Sequence, residues 1–183
     1  MPAALGIRYV ITGKFAHRDR LLSEVSWRGD ERVLDVGTGG GLLAIGAARR
    51  APRGRAIGID IWQREDLSGN TRDRAIANAR LEGVGDRVEI RDEDARTLSC
   101  ADASIDVVLS MLCLHNIPEV AGREQALREI ARVLKPGGTA LVSDLAGTER
   151  YAQVFAELGL EVKRSGRCAG TFPWQRLVVA RKR

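Results

Sequence analysis

A chain of 183 residues with 44% hydrophobic and 29% charged residues has an ordinary globular composition, enough for one domain or one domain with a short extension. Aromatic content of 4% leaves no stacking platform of the kind single-stranded nucleic-acid binders use, and no apolar run approaches the length of a membrane helix. The net charge of +5 is uneven: Lys163, Arg164, Arg167, Arg176, Arg181, Lys182 and Arg183 stand against Glu161 in residues 161–183, a net +6 that leaves −1 for the rest.

A basic end of this kind serves an acidic substrate or RNA, or it is a solvated strand edge whose cations discourage edge pairing. The strand edge is the simpler expectation. Cys100, Cys113 and Cys168 are odd in number, widely spaced and without a C-x-x-C, which argues against a disulfide framework or a metal site. A reducing, cytoplasmic setting follows. The first residues carry no basic start, apolar core and small-residue cleavage site, so no signal peptide is expected.

In chain order, Phe15, Leu21, Leu22 and Val25 at helical spacing predict a leading helix over 15–27. A strand at 32–36 runs into glycines, followed by a small-residue helix at 42–50 that Pro52 and Gly54 end. A strand at 55–60 and a polar loop precede a helix over 70–82, capped by Asn70 or Ser68 and closed by Gly83. Strand 86–91 leads to Asp92, Glu93 and Asp94, and strand 105–110 to the loop 112–118. Helix 122–134 ends at a sharp turn, Lys135-Pro136-Gly137-Gly138, before strand 139–145. A helix at 148–158 and strands at 160–166 and 175–182 complete the chain. Alternation of this kind means an α/β fold, a mostly parallel sheet covered on both faces. Ligands in such sheets bind beyond the carboxyl ends of the strands, where the polar clusters of this chain fall.

Residues 33–41, Val-Leu-Asp-Val-Gly-Thr-Gly-Gly-Gly, are a strand stopping in a glycine loop, and a second strand ends on Asp60 nineteen residues past Gly41. Glycines at 37, 39 and 41 let the backbone approach a ligand, and a strand-end acid about 20 residues on can accept from ribose hydroxyls. The dinucleotide fingerprint needs glycine or alanine where Leu42 stands, and Asp35 would repel a pyrophosphate but attract an ammonium. A nicotinamide dehydrogenase is therefore a distant alternative.

This stretch resembles the first motif of class I S-adenosylmethionine-dependent methyltransferases, with Asp35, Gly37, Thr38, Gly39 and Gly41 in cofactor-binding positions. The resemblance continues through Asp60, through Asp94-Ala95, through residues 104–110 ending on Ser110 and running into 114–117, and through 134–138. It implies a Rossmann-like seven-stranded sheet with the last strand antiparallel. Residues 1–29 then form an N-terminal helical lid or extension, and 30–183 the S-adenosylmethionine-binding domain. Among such enzymes the chain looks most like the small-molecule group, including the ubiquinone and menaquinone C-methylating type. Ser110-Met111-Leu112-Cys113 stands where base and glutamine methylating enzymes carry Asn/Asp-Pro-Pro-Tyr/Phe, which disfavours that chemistry.

The implied roles are specific. Asp60 binds the ribose, Asp94 and the backbone of Ala95 read adenine, and a one-step shift would exchange Asp94 with Glu93 or Asp92. Ile61 and Trp62 pack on the adenine face, with core packing the alternative for Trp62. His115, in the loop facing the acceptor, is either a proton acceptor or a structural histidine. His17 in the leading helix either faces the pocket or lies on the helix surface. Cys113 is expected to be a small buried hydrophobe, and nothing in the cysteine spacing supports a metalloid site like that of the arsenite methyltransferases. The acceptor site is open, or closed by the leading helix or by a second subunit in a homodimer. An RNA or protein methyltransferase using the basic C-terminal segment, and a non-catalytic cofactor-binding module, are the alternative functions.

Overall fold

The computed structural model describes residues 6, 9–63 and 69–183. Its strands are β1 (Arg32–Val36), β2 (Arg55–Asp60), β3 (Val88–Asp92), β4 (Ile105–Met111), β5 (Leu134–Asp144), β6 (Glu161–Arg167) and β7 (Arg176–Arg181). They form one sheet in the order β3-β2-β1-β4-β5-β7-β6, with β1 to β5 parallel and β7 antiparallel to both β5 and β6. The order reverses between β1 and β4, whose ends pair Val36 with Ser110.

Side-chain alternation distributes the apolar residues to two cores. Leu34, Val36, Val108, Ala140 and Val142 face one layer, packing against Leu127 and Ile130 of helix α4 (Val120–Val133) and Phe155 of α5 (Thr148–Glu157). Val33, Val107, Leu109 and Leu141 face the other, against α1 (Lys14–Leu22) and α2 (Leu42–Arg50). Helix α3 (Arg72–Leu81) packs beside β3. The interior strands are therefore apolar on both faces, as a doubly covered parallel sheet requires.

Several boundaries differ from expectation. Helix α1 stops at Leu22 rather than 27, because the Ser23 hydroxyl donates to Arg20 O (2.6 Å) and the Trp27 indole to Leu22 O (2.8 Å), occupying its last carbonyls. A π-helical turn, Tyr9–Gly13, precedes it. Helix α3 is capped by Thr71, whose hydroxyl accepts from Arg74 N, not by Asn70; Ser68 lies outside the described residues. Residues Lys135–Gly138 are not a free turn but a wide bulge inside β5. Leu134 pairs with Ile105 and Thr139 with Val107, while Gly137 N donates to Lys182 O and Lys182 N to Gly138 O.

The basic end divides. β6 is the sheet edge and its Lys163, Arg164 and Arg167 are exposed, as a solvated edge would have them. Lys182 instead turns inward and donates to the carbonyls of Ala131 (2.7 Å) and Leu134 (2.9 Å), neutralising the C-terminal end of α4.

Candidate functional site

A cavity of about 680 Å³ opens over the carboxyl ends of β1, β2 and β4, within the range of small-molecule sites. Its floor is Asp35 and the loop Gly37, Thr38, Gly39 and Gly40. Ile61, Asn70 and Glu93 to Arg96 form one side, and Met111 to Cys113 with Asn116 to Pro118 another. Tyr9, Lys14, Phe15 and Arg18 of the N-terminal segment close a third.

The glycine loop is held from two directions. Gly37 N and Thr38 N both donate to Ile59 O at 2.9 Å, tying it to β2. Gly37, Gly39 and Gly41 have φ of +73°, +50° and +85°, conformations that side chains other than glycine rarely adopt. At Gly37 a Cβ would also lie 2.3 Å from the Cys113 Sγ. The missing side chain thus makes room for the loop after β4 as well as for a ligand. Gly41 starts α2 and does not line the cavity.

Asp35 is 1% exposed. Its Oδ2 accepts from Thr38 Oγ1 (2.8 Å) and Ala44 N (3.0 Å), and its Oδ1 has no partner. Burial pushes this carboxyl up to about 7, the charge of Asp60 adds to the shift, and the two hydrogen bonds oppose it.

Asp60 works on the loop itself. Its Oδ2 accepts from Gly39 N (2.9 Å), while Oδ1 accepts from Trp62 N (2.8 Å) and Asn70 Nδ2 (3.3 Å). That turn puts Trp62 at φ +59° and aims its indole N–H at Asp92. Trp62 is therefore off the cavity wall, contrary to expectation, while the half-exposed Ile61 stays on it. Asn70 and Asn78 are functional-site residues that sequence reasoning missed: Asn70 is buried on the wall beside Asp60, and Asn78 Nδ2 donates to Gly40 O (2.8 Å). A lone asparagine, before the helix like Asn70 or within α3 like Asn78, carries no signal of such a contact.

Asp94 and Ala95 both line the cavity, and Asp92 does not. A bidentate pair with Arg96, at 2.6 Å, holds the Asp94 carboxyl below the usual carboxylate range. Glu93 accepts from Ser99 N and Oγ (2.6 and 2.8 Å). Ser110 is buried at the end of β4 and off the wall. Cys113 is on the wall, and burial together with Asp60, Asp144 and Asp35 pushes its thiol far up, so it is a neutral packing group and not a nucleophile.

The histidines part ways. His115, in the 3-10 turn Leu114–Asn116, has Nδ1 2.5 Å from Oδ1 of the buried Asp144, whose Oδ2 accepts from His115 N (3.0 Å). It is set back from the wall, between the lining residues Cys113 and Asn116. His17 is neither on the surface nor in the cavity: it is 4% exposed, with Nε2 2.7 Å from Ser143 Oγ. Burial, reinforced by Arg20, pushes it down to about 4, so it is neutral at physiological pH.

A family model described as a methyltransferase domain matches residues 34–142. Over 147 residues the chain is 35% identical to the 27-O-demethylrifamycin SV methyltransferase of Amycolatopsis mediterranei, covering 77% of this chain and 50% of that protein. It is 32% identical over 147 residues to the ubiquinone biosynthesis O-methyltransferase of Alkalilimnicola ehrlichii, covering 80% and 54%. The chain spans about half the length of the curated relatives it matches. In fold it is similar to a SAM-dependent methyltransferase from Aquifex aeolicus, with a TM-score of 0.71 at 19% identity over 90% of this chain and 88% of that one.

Proposed function

The chain belongs to the methyltransferase domain family, and from that membership we propose that it moves the methyl group of S-adenosylmethionine to a small-molecule acceptor by in-line displacement. One observation carries the reading: on the floor of the cavity a buried carboxylate, Asp35, keeps one oxygen without a partner. Such an oxygen calls for a cationic ligand group, and the ammonium of an amino acid meets it where a pyrophosphate would be repelled. The rest of the donor finds partners in the same cavity. The glycine loop takes the methionine portion, Asp60 the ribose hydroxyls, Asp94 and the backbone of Ala95 the adenine edge, and Ile61 the adenine face.

When bound, the cofactor supplies an electrophilic sulfonium methyl group. What this chain adds is alignment of the acceptor and removal of its proton. We assign the proton to His115, which, set back behind Cys113 and Asn116, takes it by way of one water. Asp144 holds its Nδ1, which orients the ring and places the basic lone pair on Nε2. His115→Ala is expected to lower the methyl-transfer rate by about 10²- to 10⁴-fold with cofactor affinity unchanged; an unaltered rate would make this histidine structural. Tyr9 to Leu22 serve as an acceptor-side lid on the domain formed by residues 30–183, a reading supported by the four cavity residues they supply. No described helix is long and apolar enough to cross a membrane, and three free cysteines fit a reducing cytoplasmic setting.

Calorimetry with S-adenosylmethionine, S-adenosylhomocysteine and NAD tests the cofactor. Both adenosyl compounds are expected to bind. Heat from NAD with none from either of them would overturn the proposal.

A further inference from the structure

The N-terminal segment brings a one-sided chemistry to the cavity. Of the acids that line the cavity, Asp35, Asp60, Glu93 and Asp94 come from the ends of β1, β2 and β3 or the loop after β3, and Glu82 follows α3. The N-terminal segment contributes only Tyr9, Lys14, Phe15 and Arg18. Lys14 Nζ lies 5.2 Å and the Arg18 guanidinium 5.3 Å from the centre of the Phe15 ring, which is 40% exposed. Arg18 has Asp19 at 2.9 Å, but Lys14 has no acidic partner among the described residues.

A second, independent feature concerns Tyr9. Four buried polar side chains run in a line from α1 to the cavity: His17, Ser143, Gln175 and Tyr9. His17 Nδ1 is buried without a partner. An unpaired acceptor lone pair costs less than an unpaired N–H, so the proton sits on Nε2 and is donated to Ser143 Oγ. Ser143 then donates to Gln175 Oε1 (3.0 Å), and Gln175 Nε2 donates to the Tyr9 hydroxyl (2.7 Å). Thr171 Oγ1 pins the same glutamine by accepting from its backbone N–H (3.0 Å). His17, Ser143 and Gln175 each donate to the next group along the chain. The Tyr9 oxygen is an acceptor within it, so among the described residues its own proton is left for a further acceptor, and Tyr9 is one of the residues lining the cavity.

We propose that the methyl acceptor is a small apolar, ring-bearing molecule with an anionic oxygen group, and that Tyr9 and Lys14 recognise that group while Phe15 packs on the ring. A hydroxyl held as a donor, an ammonium without an acid and an aromatic face together suit a carboxylate or phenolate on a planar body. This inference rests on the methyltransferase reading and specifies its substrate class. The same cations could instead meet the carboxylate of the cofactor's methionine portion, and the experiment separates the two.

Benzoate and cinnamate, with benzamide and cinnamamide as neutral counterparts, are titrated by ligand-observed NMR into protein saturated with S-adenosylhomocysteine. Both carboxylates are expected to bind at least tenfold more tightly than their amides. In Lys14→Gln that preference should shrink to threefold or less, and Tyr9→Phe should weaken the carboxylates several-fold. Affinity for S-adenosylhomocysteine should stay within twofold in both variants. Equal binding of acids and amides, or no binding of the acids, overturns the inference while leaving the cofactor assignment intact. A tenfold loss of S-adenosylhomocysteine affinity in Lys14→Gln overturns it in favour of the cofactor's own carboxylate. If the wild-type protein does not bind S-adenosylhomocysteine at all, the methyltransferase reading fails first and this inference falls with it.

Discussion

Asp60→Ala is expected to weaken S-adenosylhomocysteine binding by ten- to a hundredfold. The carboxylate has two jobs that alanine cannot do. It would accept from the ribose hydroxyls, and it already accepts from Gly39 N, Trp62 N and Asn70 Nδ2. Hydrogen bonds to a charged group are worth about 1.5–3 kcal/mol, so losing one to the ligand accounts for a ten- to hundredfold change. Losing the bond to Gly39 N also releases the glycine loop on the cavity floor. Asp60→Asn separates the two effects, because its remaining carbonyl oxygen can still accept from Gly39 N. Calorimetry reads the affinities and thermal unfolding reads the loop. An Asp60→Ala protein that binds with wild-type affinity would move the ribose site elsewhere.

Asp35→Asn should abolish most cofactor affinity while making the protein comparatively more stable at high pH. In the folded protein this carboxyl is raised to about 7 by burial, well above the ordinary Asp value near 4. Between those values the folded state binds the proton more tightly than the unfolded state. The stabilising contribution is full below the ordinary value and is lost as pH rises through about 7. Above that pH the wild type carries an ionised, half-satisfied carboxylate in its core, which asparagine removes. The difference in melting temperature, variant minus wild type, is therefore expected to grow from pH 5 to pH 8. Binding has the opposite slope. An ammonium needs the ionised form, so wild-type affinity for S-adenosylmethionine should rise through pH 7, and the variant should lose both the slope and at least tenfold in affinity at pH 8. A flat stability difference would mean that Asp35 titrates normally, and unchanged affinity would remove it from the ammonium site.

The strand-end side of the cavity was legible because its information is local. A glycine loop at the end of one strand and an acid at the end of the next are properties of short segments, and strand ends follow from the two-residue and helical periods of the apolar residues. Asp35, Gly37, Gly39, Asp60, Asp94 and Ala95 accordingly reach one cavity or its lining loop. Trp62 departed because the Asp60 carboxylate accepts from its backbone N–H and turns the side chain toward Asp92, a choice made between two strand ends. Ser110 was read by position in a strand, and position does not say which side of the sheet end faces the cavity.

The histidines and the basic end show the other limit. His17 sits in a stretch that reads as an exposed helix, yet it is buried by a hydrogen bond to a residue 126 positions away. His115 is oriented by Asp144, 29 positions away, and Lys182 by the end of α4, 51 positions away. By itself, the sequence determined the doubly covered parallel sheet, the strand ends and the acidic character of the cavity floor, since each depends on neighbours along the chain. Only the tertiary structure decided which polar groups are buried together, which way the protons of Ser143 and Gln175 point, and that the N-terminal segment walls one side of the cavity. Burial and hydrogen-bond direction depend on groups brought together from distant positions, and no local pattern encodes them.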